Sequence, residues 1–188
     1  MGGLSFWELI ILKWLFRMIL NLPDHLTTLI GGHMQPDSLL PIAKKARKQS
    51  ELLQLCISAT VDLALTLKQL HWNIRGPHFK PVHEFLDEII DHARSTSDIL
   101  AERMVTLGVP AIGQRATLPT SPVQKVEDSF IQDTAVIEHT GNALDATIRV
   151  LRESQEALGE IDPVTEDLVI AALQDFEKDL WMLRSHLG

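Results

Sequence analysis

The stretch LKQLHWNIRGPHFKPVHEFLDEII, residues 67–90, decides the fold because a Gly-Pro break interrupts an otherwise helical, apolar run. Proline removes a backbone donor and restricts the residue before it, so Arg75-Gly76-Pro77 ends one helix. His71 lies before this break, and His83 lies after it. Asp87 follows His83 by four residues and therefore shares its helical face. The stretch predicts two helices whose connecting turn carries His71 back toward His83 and Asp87.

Glycine and proline residues also mark helix boundaries in the rest of the chain. Gly108 and Gly159 are typical helix stops, and Asp162-Pro163 is a typical helix start. The helices predicted in this way cover residues 50–74, 81–107, 126–158 and 163–186, and a long Pro-, Gly-, Ser- and Thr-rich loop covers 108–125. This pattern predicts an all-α four-helix bundle, in which the long loop provides a crossover between helices two and three.

The first helix is apolar on most of its surface. Between Leu52 and Leu70 its only charged residues are Asp62 and Lys68. A helix with so little polar surface is buried on most sides. In a small domain, we therefore expect this helix to contribute to a subunit interface as well as to the core.

Composition sets the class of protein. The 188 residues are 45% hydrophobic and 22% charged, which is ordinary for one globular domain, and the formal net charge is −8. That charge argues against a surface that coats nucleic acid and fits one that attracts cations. The single cysteine, Cys56, lies in an apolar run, which predicts a buried thiol, no intrachain disulfide and a reducing cytoplasm.

Residues 1–33 look foreign to the domain. The run LSFWELIILKWLFRMIL at 4–20 is short for a membrane span and is interrupted by charges, and it lacks the flanks of a signal peptide and a clean polar face. IGGHM at 30–34 fits a translated ribosome-binding sequence or a cloning site ahead of Met34. We expect 1–33 to be a non-native leader or vector-derived extension and 34–188 to be the domain. A membrane-anchored form requires 1–33 to be native.

Four potential ligands share one stripe of the second helix. His83 and Asp87 form one i,i+4 pair, and Asp98 and Glu102 form another. The pairs are separated by about 22 Å along the helix, so they cannot meet within one chain. They can meet if two copies pack this stripe antiparallel about a twofold axis, and His71 could then complete the site.

Imidazole and carboxylate together suit Fe, Mn or Zn. A bundle that builds a di-iron centre internally normally carries two Glu-x-x-His motifs, and this chain has none, which favours an intersubunit site. Helix-end histidines are also common as hydrogen-bonded structural residues, and paired carboxylates are commonly just solvated. The spacing alone leaves these alternatives open.

The residues then match a known signature. Lys68-Gln69-x-His71-Trp72-Asn73-x-Arg75-Gly76-x-x-Phe79-x-x-x-His83-Glu84-x-x-Asp87, followed by Asp98-x-x-x-Glu102-Arg103, resembles the signature of the Dps family, the DNA-binding proteins from starved cells or mini-ferritins. The likeness covers residues 49–187. It implies a hollow dodecamer of four-helix subunits that oxidises Fe(II), preferentially with hydrogen peroxide, and stores the ferric product. It also implies that His71, His83 and Asp87 come from one subunit and that Asp98 and Glu102 come from its twofold mate.

The resemblance suggests further roles. Trp72, beside a ligand in a chain without tyrosine, is a candidate electron donor, although core packing is an equal alternative for Trp72 and Trp181. Family members draw iron through acidic threefold pores near the junction of helices three and four. The acidic residues at that junction are Glu160, Asp162, Glu166 and Asp167, for which helix capping and ordinary solvation are the alternatives.

DNA binding is expected to be weak or absent. Members that condense DNA often use basic tails, whereas MQPDSLLP at 34–41 has no basic residue and the C-terminus stops at Gly188. A shell of twelve chains would carry roughly −100 formal charge. The sequence thus predicts a cytoplasmic ferroxidase and iron-storage shell that protects against peroxide. The alternatives are a nucleoid-compacting protein with secondary iron chemistry and a helical oligomer that holds zinc or manganese.

Overall fold

The computed structural model describes residues 36–114 and 116–186, with side chains from residue 45 onward. In this part of the chain there are four helices, α1 (Pro36–Asn73), α2 (Phe79–Thr106), α3 (Asp133–Gly159) and α4 (Pro163–Arg184). The all-α prediction is confirmed. The chain divides into two compact units, Met1–Lys45 and Ala46–Gly188, and the bundle below is the second. The prediction of a foreign leader at 1–33 lies outside the described residues.

Two short strands, β1 (Ile74–Arg75) and β2 (Ile131–Gln132), pair in parallel and reveal the path of the crossover. Because β1 lies between α1 and α2 while β2 immediately precedes α3, the chain must return along the length of α2 before α3 begins. Helices α2 and α3 therefore start at the same end of the bundle. The long crossover is confirmed, and the two-residue ladder is a feature that the hydrophobic pattern did not predict.

Side chains of α1 hold the crossover against the bundle. The Gln54 amide donates to the Ile112 carbonyl oxygen and its oxygen accepts the Ile112 N–H, each at 2.9 Å. Further along the helix, Gln69 donates to Asp128 at 3.3 Å. The crossover therefore runs alongside α1 from one end of the bundle to the other.

The predicted start of the first helix at Ser50 is wrong, since α1 begins at Pro36. The Ser50 hydroxyl donates to the carbonyl oxygens of Ala46 and Arg47, both at 3.0 Å. This backbonding is how serine behaves inside a helix, rather than at its N-cap. The segment Lys45–Asn73 is apolar enough to span a membrane by length and composition, but most of its apolar window is buried inside this protein.

Part of the apolar surface of α1 is not covered by other residues of this chain. Leu53, Ile57 and Leu63 are buried in the core, whereas Leu55 and Leu65 are 45% and 56% exposed. On the second helix, by contrast, every residue of the predicted apolar stripe is buried: Leu86, Ile90, Ala93, Leu100 and Met104. Exposed leucines on one helix and a fully buried stripe on the next indicate that α1 has apolar surface available for a partner.

Helix α2 begins two residues earlier than the predicted Pro81, which falls within the first turn, where proline is tolerated. Gly108 lies just beyond its end with a φ of 83°, a left-handed conformation that confirms it as the stop. The predicted start of α4 is also confirmed, because Asp162 is the N-cap and accepts the Val164 N–H at 3.2 Å.

The predicted start of the third helix at Val126 is wrong, since α3 begins at Asp133. Val126 and Ile131 are partly buried against the core, so the end of the crossover has an apolar pattern of its own. Ile131 is extended in β2 rather than helical. An extended segment that packs on a core gives the same signal as a helix over so short a run.

The core formed by the four helices includes the single cysteine. Cys56 is fully buried, as predicted, and burial raises the pKa of its thiol to about 11. Phe176 of α4, Leu86 of α2 and Leu144 of α3 are also fully buried. This shared interior fixes the helix ends that carry the potential ligands.

Candidate metal centre

Three of the predicted ligands come together within one chain. His71 lies in the last turn of α1, and His83 and Asp87 lie one turn apart near the start of α2. One ligand atom from each of the three lies within 4.8 Å of those of the other two. The Gly-Pro turn therefore brings together the residues that flank it, as the sequence predicted.

The two histidines hold each other in a defined tautomer. Their rings stack with centroids 3.7 Å apart. His71 Nδ1 lies 3.1 Å from the carbonyl oxygen of His83, and His83 Nδ1 lies 3.1 Å from the carbonyl oxygen of His71. Since a carbonyl can only accept, each Nδ1 carries the proton and donates it. Both Nε2 lone pairs are then available to a metal ion.

Burial favours the neutral form of the buried histidine. Desolvation lowers the pKa of His71, and the neighbouring His83 lowers it further, while the Asp87 carboxylate and the His83 carbonyl act in the opposite direction. Metal ions bind the neutral imidazole, so a lowered pKa reduces competition from protons. The fold therefore favours the protonation state of His71 that a metal ion would require.

Asp87 has a partner that sequence reasoning did not assign to the site. Lys68 Nζ donates to Asp87 Oδ1 at 2.6 Å, and His71 Nδ1 lies 3.4 Å from the same oxygen. The hydrogen bond from Lys68 lowers the pKa of Asp87. Lys68 precedes His71 by three residues and so shares its helical face, which is the signal that could have identified it. A bound cation would compete with Lys68 for this carboxylate.

Asp98 and Glu102 are not part of this cluster. Both are exposed on α2, and Asp98 lines an open surface groove together with Ile57 and Val61 of α1 and Gly113 of the crossover. Their offset along the helix, about 22 Å from the first pair, keeps them from the cluster within one chain. Their supply from a twofold mate stays a prediction.

Trp72 and Trp181 do not belong to the core formed by the described residues. Trp72 is 67% exposed and Trp181 is 68% exposed, so the core-packing alternative for both is wrong. Trp72 directly follows the buried His71 in the last turn of α1, and its indole is exposed.

The four acidic residues at the junction of α3 and α4 fall into two groups. Asp162 accepts hydrogen bonds from Gln49 and Thr165 at 2.6 Å and from Arg103 at 2.7 Å, so capping and internal pairing describe it well. Burial raises its pKa, but these three hydrogen bonds outweigh burial and lower it to about 2.

The other three acidic residues of that junction differ in their hydrogen bonding and exposure. Glu166 accepts a hydrogen bond from Gln155 at 2.6 Å, whereas Glu160 and Asp167 are exposed. A pore role for any of the four stays a prediction.

Comparison with known proteins places the chain in a family. Residues 50–188 match the model of the ferritin-like domain. The DNA protection during starvation protein of Mycolicibacterium smegmatis is 37% identical over 148 residues, which are 77% of this chain and 79% of that one. The protein of the same name from Agrobacterium fabrum is 34% identical over 141 residues, covering 72% and 85%.

A solved structure agrees with these relatives. Dps from Microbacterium arborescens in its high iron form superposes with a TM-score of 0.71 at 30% identity, over 76% of this chain and 94% of that one. The residues that match the family model, 50–188, include the cluster. The chain belongs to the ferritin-like family and, within it, to the Dps proteins.

Proposed function

We propose that this protein is a ferroxidase and iron-storage shell that oxidises Fe(II), its substrate, with hydrogen peroxide and keeps the ferric mineral inside. Family membership supports a general role in iron storage and protection from oxidative stress. The observation that carries the specific activity is the cluster of His71, His83 and Asp87, whose ligand atoms lie within 4.8 Å of one another. Two imidazoles and a carboxylate this close together would offer a cation three ligand atoms.

The donor set fits ferrous iron. Imidazole nitrogen and carboxylate oxygen are ligands for Fe(II), and zinc or manganese fits the same donors. Three protein donors leave a coordination shell incomplete, so a single chain would bind its substrate in an open site. Asp98 and Glu102 of a second copy would supply the missing carboxylates.

A twofold dimer explains the exposed residues on α1 and α2. Leu55 and Leu65 of α1 and Ile99 of α2 are large apolar side chains that this chain leaves exposed. Ile99 and its neighbour Asp98 are both exposed on the same turn of α2. The proposed dimer joins His83 and Asp87 of each chain to Asp98 and Glu102 of the other. Six such dimers would form the dodecamer that the family resemblance implies.

The proposed chemistry needs two iron ions at one site. Each of two Fe(II) ions gives one electron to hydrogen peroxide, the O–O bond breaks, and two protons are taken up, which yields two Fe(III) and two water molecules. A single Fe(II) would supply only one electron and release hydroxyl radical. Trp72, exposed and adjacent to His71, would donate an electron to a stray oxidant. If the four acidic residues line a pore, the exposed Glu160 and Asp167 would meet incoming cations, whereas Asp162 and Glu166 are half-buried.

A second candidate function is compaction of DNA, in the nucleoid rather than elsewhere in the cytoplasm. The name of the relatives, DNA protection during starvation protein, and the exposed Arg47 and Lys48 favour it. Arg47, however, is paired with Glu51 at 2.8 Å, and the chain carries a formal charge of −8. We therefore propose that DNA binding is weak or absent. Tight condensation in a gel shift at physiological salt would reverse the ranking of the two functions.

The test of the proposed function is anaerobic addition of Fe(II) followed by stoichiometric hydrogen peroxide, with ferric absorbance as the readout. The wild type is compared with a His83→Ala, Asp98→Ala double variant. A His139→Ala, Asp175→Ala variant, which removes one exposed histidine from α3 and one exposed aspartate from α4, is the control. We expect fast oxidation and soluble product in the wild type and the control, and oxidation at the buffer rate in the double variant. Equal rates in all three would contradict the proposal.

A further inference from the structure

Helix α2 has no N-terminal cap of its own. His78 occupies the N-cap position without a side-chain cap hydrogen bond, and the first turn contains no acidic residue. The missing acceptor comes from Asp133, the first residue of α3. Asp133 Oδ2 accepts the backbone N–H of His78 at 2.6 Å and the Nδ1–H of the same residue at 3.0 Å. A carboxylate from the far end of the crossover thus supplies the anion that a helix N-terminus favours.

The same carboxylate also serves its own helix. Asp133 Oδ1 accepts the Thr134 N–H at 2.9 Å, and the residue is buried. The backbone N–H of His78 and the other hydrogen bonds lower the pKa of Asp133 against the effect of burial. One ionised side chain therefore holds together the starts of two helices that are more than fifty residues apart in sequence.

Gly76 is shaped to admit this carboxylate. Its φ is 137°, a conformation that side-chain-bearing residues rarely adopt. A Cβ added there would lie 2.5 Å from Asp133 Cγ and 2.6 Å from both of its oxygens. The Gly-Pro break thus does more than end α1, because it leaves room for a specific group from α3.

Two further contacts fasten the same turn to the end of the crossover. Ile74 and Arg75 pair with Ile131 and Gln132 in the parallel ladder. The Arg75 guanidinium carbon lies 3.3 Å from the centroid of the Phe130 ring. The turn between α1 and α2 is therefore fixed from outside by residues 130–133.

The histidine pair spans this turn. His71 precedes the turn and His83 follows it. The turn sets the position of α2 against α1, and that position determines the lengths of the two Nδ1–carbonyl hydrogen bonds. The first residue after the Asp133-bound N-cap is Phe79, whose ring lies 4.9 Å from that of His83, centroid to centroid. We propose that Asp133 is a positioning residue for the metal centre, which sets the spacing of the two Nε2 atoms by capping α2. This inference rests on the proposed function of the cluster.

The experiment titrates the assembled, full-length protein with Co(II) under anaerobic conditions and follows its visible absorption. Loss of a residue that orients metal ligands typically weakens metal affinity 10- to 100-fold. We expect a loss of about 10-fold or more for Asp133→Ala and an altered Co(II) spectrum at saturation. Asp133→Asn keeps one oxygen to accept the His78 N–H, so we expect it to recover part of the loss.

A matched control separates positioning from stability. Asp179 of α4 is another buried carboxylate that accepts from a histidine, His92 Nδ1, at 2.7 Å. Asp179→Ala removes a comparable hydrogen bond, and we expect it to lower the melting temperature without changing Co(II) affinity. Gly76→Ala displaces the Asp133 carboxylate without removing it, and it provides a second test if Asp133→Ala does not fold.

The outcomes distinguish the inference from the function on which it rests. Co(II) affinity equal to wild type in Asp133→Ala or, should that variant not fold, in Gly76→Ala would overturn the inference alone. A loss of the same size in Asp179→Ala would do so too. If the wild type shows no Co(II) binding that His83→Ala removes, the proposed metal centre fails and the inference fails with it.

Discussion

The two ends of the α1–α2 pair carry polar clusters of similar size and opposite character. At one end, Asp162 is surrounded by Gln49, Thr165 and Arg103, and all three donate to it. At the other end, about 33 Å along α1, His71 and His83 satisfy their Nδ1 atoms and leave both Nε2 atoms without a partner among the described side chains.

This difference between the two clusters suggests that one stabilises the fold and the other binds a ligand. A buried polar group that is fully paired stabilises the fold, and breaking the pair leaves an uncompensated charge. A group that is oriented but keeps a free lone pair is prepared to bind something from outside. We therefore expect changes in the Asp162 cluster to alter unfolding and changes in the histidine cluster to alter metal binding, with little exchange between the two effects.

The largest effect is expected for His83→Ala. The variant loses one of three ligand atoms and the hydrogen bond that fixes the His71 carbonyl, so we expect Co(II) affinity to fall about 100-fold or more. The melting temperature should change only slightly, since one exchanged hydrogen bond contributes about 1 kcal/mol. Affinity within threefold of wild type would show that the cluster is structural.

The next effect is expected for Asp162→Ala. Arg103, with a side chain only 20% exposed, would lose its carboxylate partner, which costs about 3 kcal/mol in the free energy of unfolding. Denaturant unfolding measures the change. Co(II) affinity should stay at the wild-type value, and a loss of affinity would contradict the separation of the two ends.

Lowering the pH should also destabilise the protein through the Asp162 cluster, but by less than Asp162→Ala does. The folded-state pKa of Asp162, about 2, lies below its unfolded value near 4, so its contribution is complete above pH 4 and is lost as the pH falls toward 2. This difference in pKa corresponds to about 2.5 kcal/mol. We expect Asp162→Asn to flatten the pH dependence of the melting temperature in this window relative to wild type. Parallel profiles for the two proteins would remove Asp162 from this account.

The smallest effect is expected for Lys68→Met. Lys68 competes with a cation for Asp87, whose side chain is 47% exposed, so solvent screens the pair and limits its strength. Removing the ammonium group should strengthen Co(II) binding about 2- to 5-fold. Weaker binding would mean that Lys68 orients Asp87 for the metal ion instead of blocking it.

The features that could be predicted from the sequence are those that depend on residues close together in the chain. The Gly-Pro break, the i,i+4 spacing of His83 and Asp87, and the Asp162-Pro163 helix start are short-range signals, and each led to a feature of the structure. The Pro- and Gly-rich stretch after Gly108 predicted the crossover, because such residues disfavour both helix and strand.

Other features depend on contacts between distant segments and left no local signal. Asp133 looks like an ordinary first-turn residue of α3, and nothing in its neighbourhood indicates that it also caps α2. The extended path of Ile131 is fixed by β1, far away in sequence, which is why the predicted helix began too early. Asp98 and Glu102 pose the same problem between chains, since their partner is proposed to be another copy.

The most direct test of the account is complementation between two inactive chains. His83→Ala and Asp98→Ala are produced separately and together, and the oxidation of Fe(II) by hydrogen peroxide is compared. If each site joins His83 of one chain to Asp98 of its mate, a mixed dimer regains one intact site of two. Random co-assembly should then restore about a quarter of the wild-type rate, while a mixture of the separately assembled proteins stays inactive. No recovery on co-assembly, or full activity in either variant alone, would contradict the intersubunit site.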